Sequence, residues 1–454
     1  MSESALVAPE KKLVRAPFMY KQWMVAGNTQ AFIRMLTNDF GDFVHYRGIL
    51  NFYVINHPDL IRQVLQKTNK RYDKGTDIYT RFRAVFKSGL VTSEGAHWQK
   101  QRKLIQPLLK PVFVRSLVPL MCESSAGMAE EWSQSTGDGV LRNVAQDMSR
   151  LTLEIAGKCL FSSDFEGYRS KIIEWSEFIN EYSGMTPYPV VRSPWFPSPA
   201  NFKMKRVLRE FHDFVGALYD DRVRDGSKNQ DLFSLLLGAR HEELEGGMSR
   251  EELTDEVVTM IFGGHETSAT ALTWAWSFLA QNKEVEAKLH AELDSVLNGR
   301  DPGPEDVSKL KYTKMVIDEA MRMGPPFWFE NRNAIEEDEL WGEKIPKGSL
   351  IMFSRHAMHM HPEFWDNPAE FRPERFATTA SKERTKFAYI PFGGGPRICA
   401  GITFATIELV IALATLANKF TIELHESASQ EVEAKLTMTP KGGVPAYIKL
   451  RQRP

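Results

Sequence analysis

Residues 391–401 read Pro391-Phe392-Gly393-Gly394-Gly395-Pro396-Arg397-Ile398-Cys399-Ala400-Gly401. Three successive glycines let a backbone take positive φ and approach a bulky group closely. Cys399 stands just before a helical pattern that runs from about Ile402 to Lys419. A helix dipole and a bound metal would each favour its thiolate. A turn followed by a core cysteine is the plainer reading. Phosphate binding is disfavoured, because no Lys followed by Ser or Thr and no preceding βαβ pattern accompanies the glycines.

Outward from this loop, the chain has 454 residues, 43% of them hydrophobic, enough for a large core. Length alone suggests more than one domain, but only softly. Cys122, Cys159 and Cys399 are too few for a disulfide framework and fit a reducing cytosol. In that setting a special cysteine is a ligand or a nucleophile. The net charge of -1 gives no sign of a nucleic-acid surface. Lys11, Lys12, Arg15 and Lys21 interrupt the N-terminal region, and no apolar run approaches the roughly 20 residues of a membrane span. No signal-peptide pattern is visible. A cytoplasmic protein without a membrane anchor is expected.

Phe43 to Ile55 alternates around Gly48 and predicts a β-hairpin. His57 to Gln66 predicts a helix capped by Asn56. Helical patterns dominate from Glu94 to about Gln281, with loops near Pro187 to Pro199 and near Gly246. Leu350 to Phe353 reads as a short strand, and Asn367 to Gly395 as irregular. Ser249-Arg250-Glu251-Glu252 is a capping box at the start of a helix reaching Gln281. Such a helix is roughly 50 Å long. Gly263 and Gly264 lie inside it, each costing roughly 0.5–1 kcal/mol against alanine. Small residues follow at Thr267, Ser268 and Ala271. They mark either a close helix crossing or a flat ligand lying against the helix.

The cysteine segment resembles the ligand loop of the cytochrome P-450 (haem-thiolate) family, in which Phe392, Gly395, Arg397, Cys399 and Gly401 fill every fixed place. Glu319-Ala320-Met321-Arg322 puts Glu319 and Arg322 on one helix face. Alone, that pair would be a surface contact worth under about 1 kcal/mol. The resemblance implies instead a buried structural lock, joined by Arg375 of Phe371-Arg372-Pro373-Glu374-Arg375-Phe376. It also implies that Trp98, Arg102, Arg332 and Arg397 approach the haem propionates. Gly263-Gly264-His265-Glu266-Thr267-Ser268 resembles the family's central-helix pattern. There the glycines open space for dioxygen, while Thr267 and Glu266 manage protons, Glu266 pointing towards a solvent route. The bland alternative has Thr267 bonding back to the Gly263 carbonyl. His265 is turned about 100° from Gly264 and is not expected to be a second axial ligand. His356, His359 and His361 are read as structural rather than zinc ligands, and Cys122 and Cys159 as core.

The resemblance thus implies a mainly α, triangular haem-thiolate fold with a small β region. Residues 1–39 read as an N-terminal extension and 40–454 as one domain. Cys399 would hold the iron of haem b (iron protoporphyrin IX), bordered by Phe392 and Gly264. The implied reaction uses dioxygen to hydroxylate or epoxidise a lipophilic molecule. A ferredoxin or flavodoxin with its reductase would supply electrons, steered by Lys100, Lys103 and Lys110. The substrate pocket is expected to include Phe327, Trp328, Phe329, Leu436 and Thr437, with the segments Tyr72 to Leu90 and Phe178 to Phe196. Fatty acid, terpene, steroid and polyketide all remain open as substrates. Two rivals stand beside this reading. A non-oxygenase isomerase or dehydratase would not need Thr267, and a haem-based sensor would carry an output domain.

Overall fold

In the computed structural model, residues 12–21, 28–136, 139–163, 165, 167–184, 196–224, 231–241 and 248–452 are described. The chain begins with β1 (Val14–Arg15) and α1 (Thr29–Phe40), the latter capped by Asn28 accepting from the Ala31 N–H. The expected hairpin forms as β2 (Phe43–Arg47) and β3 (Asn51–Ile55), with Phe43 opposite Ile55. The next helix, Pro58–Arg62, is capped by His57 rather than Asn56, and widens into a further turn at Gln63–Lys67. There follow β4 (Tyr72–Asp73), α2 (Asp77–Phe86), α3 (Gly95–Ile105), α4 (Val118–Ser135), β5 (Leu141–Asn143), α5 (Val144–Phe161), α6 (Arg169–Ser183) and α7 (Pro199–Arg224). The second half supplies α8 (Arg250–Gln281), α9 (Lys311–Met323), β6 (Phe329–Ala334), β7 (Leu350–Ser354), α10 (Ile402–Ala417), β8 (Phe420–Leu424) and β9 (Pro445–Leu450). The expected loops at 187–195 and at Gly246 lie outside the described residues.

Six strands form one sheet in the order β1-β2-β3-β7-β6-β4, and β8-β9-β5 form a smaller one. A boundary after residue 39 would cut α1, so the N-terminal extension needs correction. Phe32, Ile33 and Leu36 of that helix are buried in the main core, and β1 pairs with β2. These apolar positions recur at helical spacing, which ties the segment to the fold by burial rather than by a linker.

Helix α8 carries the capping box, Ser249 accepting from Glu252 N and Glu252 reaching back to Ser249 N. Its C-terminal half is buried all round, from Ser268 to Ser277. A helix without a polar face belongs in a core. Helix α10 is buried in the same way from Ile407 to Ala417. Each fully buried Leu or Ile, such as Leu272 or Ile411, contributes about 1.5–3 kcal/mol. These helices therefore hold the fold far more than any surface ion pair does.

Candidate active site

The cysteine loop is pressed against the wide turn at Gln63–Lys67. Gly395 has φ 65°, and a Cβ there would lie 1.9 Å from the Leu65 carbonyl oxygen, so only glycine fits. The loop folds back on itself as Cys399 N donates to Phe392 O at 3.0 Å. Cys399 is surrounded by protein yet accessible, and it lines a cavity of about 320 Å³. Burial pushes its pKa up, while the Gly401 N–H, Arg102 and Arg355 pull it down.

Glu319 and Arg322 are wholly buried, and the guanidinium grips the carboxylate with two hydrogen bonds of 2.7 and 2.8 Å. The surface-pair reading is therefore excluded. Arg375 stands 3.3 Å from Glu319, and the Arg372 N–H donates to the same carboxylate at 2.9 Å. Arg322 also donates to the His359 and Glu370 carbonyls. The His359 ring accepts from Ile390 N, next to the cysteine loop. His356 meets Gln30 and His361 meets Asp42, so the three histidines serve three separate contacts. Cys159 is buried, and Cys122 is half-buried with its thiol pushed up to about 11 by burial.

One wall of the cavity is charged. Lys74, Arg102, Arg332, Arg355 and Arg397 line it, together with Trp98 and Glu330. Arg397 donates to Ser93 O and pairs with Glu94 at 2.7 Å, and its guanidinium lies 3.8 Å over the Trp98 ring. Arg332 and Arg355 both pair with Glu330. Arg102 donates to Ile398 O at 2.9 Å. Lys74 donates to Val91 O, and burial together with Arg332 and Arg397 brings its pKa down to about 7. Sequence reasoning missed Lys74, Glu330 and Arg355. Lys74 carries no local signal at all. Glu330 stands two residues before Arg332, a spacing that puts both on one strand face.

The opposite wall is α8. A Cβ on Gly263 would meet nothing within 4 Å, whereas one on Gly264 would touch Leu160 and Ala156 of α5 at 3.7 and 3.8 Å. Both glycines line the cavity; Gly263 leaves it widest, and Gly264 also serves the helix crossing. Thr267 lines the cavity and donates to Gly263 O at 2.7 Å. Glu266 is partly buried, and one of its oxygens is held by side chains. Its carboxylate accepts from Asn180 at 2.9 Å and Thr437 at 3.1 Å, and burial raises its pKa. His265 faces Ser149 at 2.9 Å, with burial lowering its pKa to about 4.

Phe327, Phe329 and Leu436 line the cavity, but Trp328 and Thr437 do not. Trp328 is buried on the other side and donates to Lys435 O, and Thr437 is taken up by Glu266 and Asn180. Extended chain alternates its side chains, so 327 and 329 share a face that 328 leaves. From the Tyr72 to Leu90 segment, Lys74, Ile78, Tyr79, Phe82 and Leu90 line the cavity. From Phe178 to Phe196, residues 185–195 lie outside the described residues, and Asn180 acts through Glu266. Lys100 points towards α8, 4.0 Å from Glu252, while Lys103 and Lys110 are exposed.

The family model for cytochrome P-450 matches residues 11–445. Cyclooctatin synthase of Streptomyces melanosporofaciens is 33% identical, over 84% of this chain and 83% of its own length. Cyclooctat-9-en-7-ol 5-monooxygenase of the same organism is 32% identical over 84% and 82%. Pentalenene oxygenase of Streptomyces avermitilis is 32% identical over 88% of each chain. A cysteine thiol facing a buried cavity, on this helical frame, is what a haem-thiolate protein requires, and the chain belongs to the cytochrome P-450 family. It is a haem-thiolate monooxygenase, and its cofactor is haem b.

The cavity suits that group. With Arg102 set against the Cys399 thiol, the other cations Lys74, Arg332, Arg355 and Arg397 face two carboxylates, Glu94 and Glu330, leaving up to two positive charges in excess. A porphyrin with two propionates would balance them. Among the described residues, no helix is long and apolar enough to cross a membrane.

Proposed function

We propose that Cys399 would hold the haem iron through its thiolate, that Arg102, Arg332 and Arg397 would receive the propionates with Lys74 and Trp98, and that Phe392 and Gly264 would border the ring. The observation that carries this reading is the single thiol opening into a cavity with a cationic wall. When bound, the thiolate-ligated haem supplies the dioxygen chemistry. The protein's part is to bind, orient and control protons. Thr267 holds a hydroxyl proton at the cavity wall, now donated to Gly263 O. Glu266 follows it in the chain as a buried acid whose proton is favoured by desolvation. Asn180 and Thr437 both donate to one oxygen of its carboxyl and so fix its orientation.

Phe327, Phe329 and Leu436 would pack the substrate. Relatives named for cyclooctatin, cyclooctat-9-en-7-ol and pentalenene favour a terpenoid among the lipophilic classes. Electrons would come from an acidic ferredoxin or flavodoxin. A surface depression beside the cysteine loop, lined by Arg62, Lys386 and Gly393 to Pro396, would offer such a partner a docking place. Charge steering there would weaken with salt. The reading is tested by the reduced CO adduct of the purified protein. A red-shifted Soret band is expected, and Cys399→His should abolish it. A normal band in that variant would sink the assignment.

A further inference from the structure

Glu256 is a buried acid that the chemistry above does not use. It lies on α8 and lines the cavity among Ile78, Phe82, Val91 and Met260. Gly263 is seven residues on, so the two share a helix face about 10 Å apart along the axis, with Thr267 a further turn away. Both carboxyl oxygens accept from one donor, the Leu90 N–H, at 3.0 and 2.9 Å. Among the described residues no cation pairs with it. Neighbouring Asp255 shows what a loop-pinning acid looks like here. It accepts from both N and Oγ of Ser88, and Lys87 stands 3.9 Å away. Glu256 pins the same loop with one N–H and leaves lone pairs over.

We infer that Glu256 anchors a hydroxyl of the substrate, so that the cavity prefers a lipophilic alcohol to the matching hydrocarbon. The inference rests on the monooxygenase reading of the cavity and adds to it the polar handle and its place. Burial pushes this carboxyl up to about 8. At neutral pH it is mainly protonated, and can both donate and accept. An alcohol does the same, whereas a hydrocarbon offers the carboxyl O–H no acceptor, which is unfavourable in a desolvated place. Anchored there, a ligand must span about 10 Å or more along α8 to present a carbon near Gly263 and Thr267. An acyclic or polycyclic terpenoid alcohol has that reach.

The test measures binding of matched pairs to the holoenzyme by the ligand-induced Soret change and by calorimetry. Farnesol with its parent hydrocarbon, and a set of monocyclic and bicyclic terpene alcohols with theirs, are the probes. At least one alcohol should bind about 10- to 100-fold more tightly than its hydrocarbon, as a hydrogen bond to an ionisable group allows. Glu256→Leu should bring that ratio close to one with hydrocarbon affinity kept, and Glu256→Gln should preserve most of it. A wild-type panel in which no alcohol outbinds its hydrocarbon overturns the proposal without any variant, as does a ratio that survives in Glu256→Leu. The CO band separates the failures. If it lacks the thiolate position, the cavity reading falls; if it is normal and the preference is absent, only the role of Glu256 falls.

Discussion

Glu319 and Arg322 are shielded from water and find their partners inside the protein. Lys74 and Arg332 are buried too and Glu330 is partly so, yet with Arg355 and Arg397 they face a cavity and leave positive charge in excess. The first cluster is closed. Removing Arg322 takes both guanidinium hydrogen bonds from Glu319 and leaves it only Arg375 and the Arg372 N–H. The second is open on one side, and its balance is completed by an anion that binds there. Burying charge costs several kcal/mol per ion unless partners repay it. A buried cationic excess therefore marks a ligand site, whereas a buried charge-satisfied cluster marks a structural joint.

The largest effect should follow from breaking the closed cluster. Arg322→Ala leaves the Glu319 carboxylate buried beside Arg375 alone, and should destabilise the protein by about 3–5 kcal/mol. Urea unfolding monitored by far-UV circular dichroism measures it, and poor haem incorporation should accompany the loss. A variant within about 1 kcal/mol of wild type would show that the joint carries little.

The open cluster should respond in the opposite sense. Lys74→Met removes a cation that has no anion of its own until the cofactor binds, so the ligand-free protein should not lose stability. The sign against pH follows from Lys74 at about 7, below the 10.5 of an unfolded lysine. Between these values the unfolded chain binds the extra proton, so this group makes unfolding harder as pH rises. Its penalty on the folded state is largest below about pH 7 and fades towards 10.5. Unfolding ligand-free wild type and Lys74→Met in urea at pH 7, 8 and 9 should show the wild type gaining on the variant. Haem transfer to apomyoglobin should meanwhile be faster from holo Lys74→Met than from holo wild type. Equal pH slopes would mean that Lys74 is not buried among cations.

The closed joint was legible because its chemistry is local. Glu319 and Arg322 lie one helical turn apart, and the cysteine loop announces itself through contiguous glycines. The open cluster was legible only in part. Arg102, Arg332 and Arg397 sit in recognisable patterns, but Lys74 follows β4, Glu330 lies on β6 and Arg355 follows β7, and the sheet order β7-β6-β4 brings them together. No spacing along the chain encodes that neighbourhood. Trp328 was misassigned because an aromatic run was read as a unit, although extended chain sends alternate residues to opposite faces. Glu266 illustrates the other limit. Helix geometry separates it from Thr267, but Asn180 and Thr437 come from distant segments to cover it. The α1 face formed by Phe32, Ile33 and Leu36 was readable and went unused.

The finest test compares adjacent glycines on α8, one serving each kind of region. Alanine in place of either should stabilise the helix by about 0.4–1 kcal/mol, because it restricts the unfolded chain. For Gly264→Ala the new methyl would sit in ordinary contact with Leu160 and Ala156, adding packing at the crossing with α5. Stability should rise, and CO binding and ligand-induced spectra should change less than in Gly263→Ala, because the methyl packs against α5. For Gly263→Ala the methyl has no protein neighbour within 4 Å and enters the cavity. Stability should rise by a similar amount, but CO recombination should slow and large ligands should bind less well, because the space beside Thr267 narrows. Flash photolysis and thermal melting of the two variants decide it. If Gly264→Ala is the one that slows CO, the helix is rotated by about 100° from the position described, and the cavity wall must be redrawn around the other glycine.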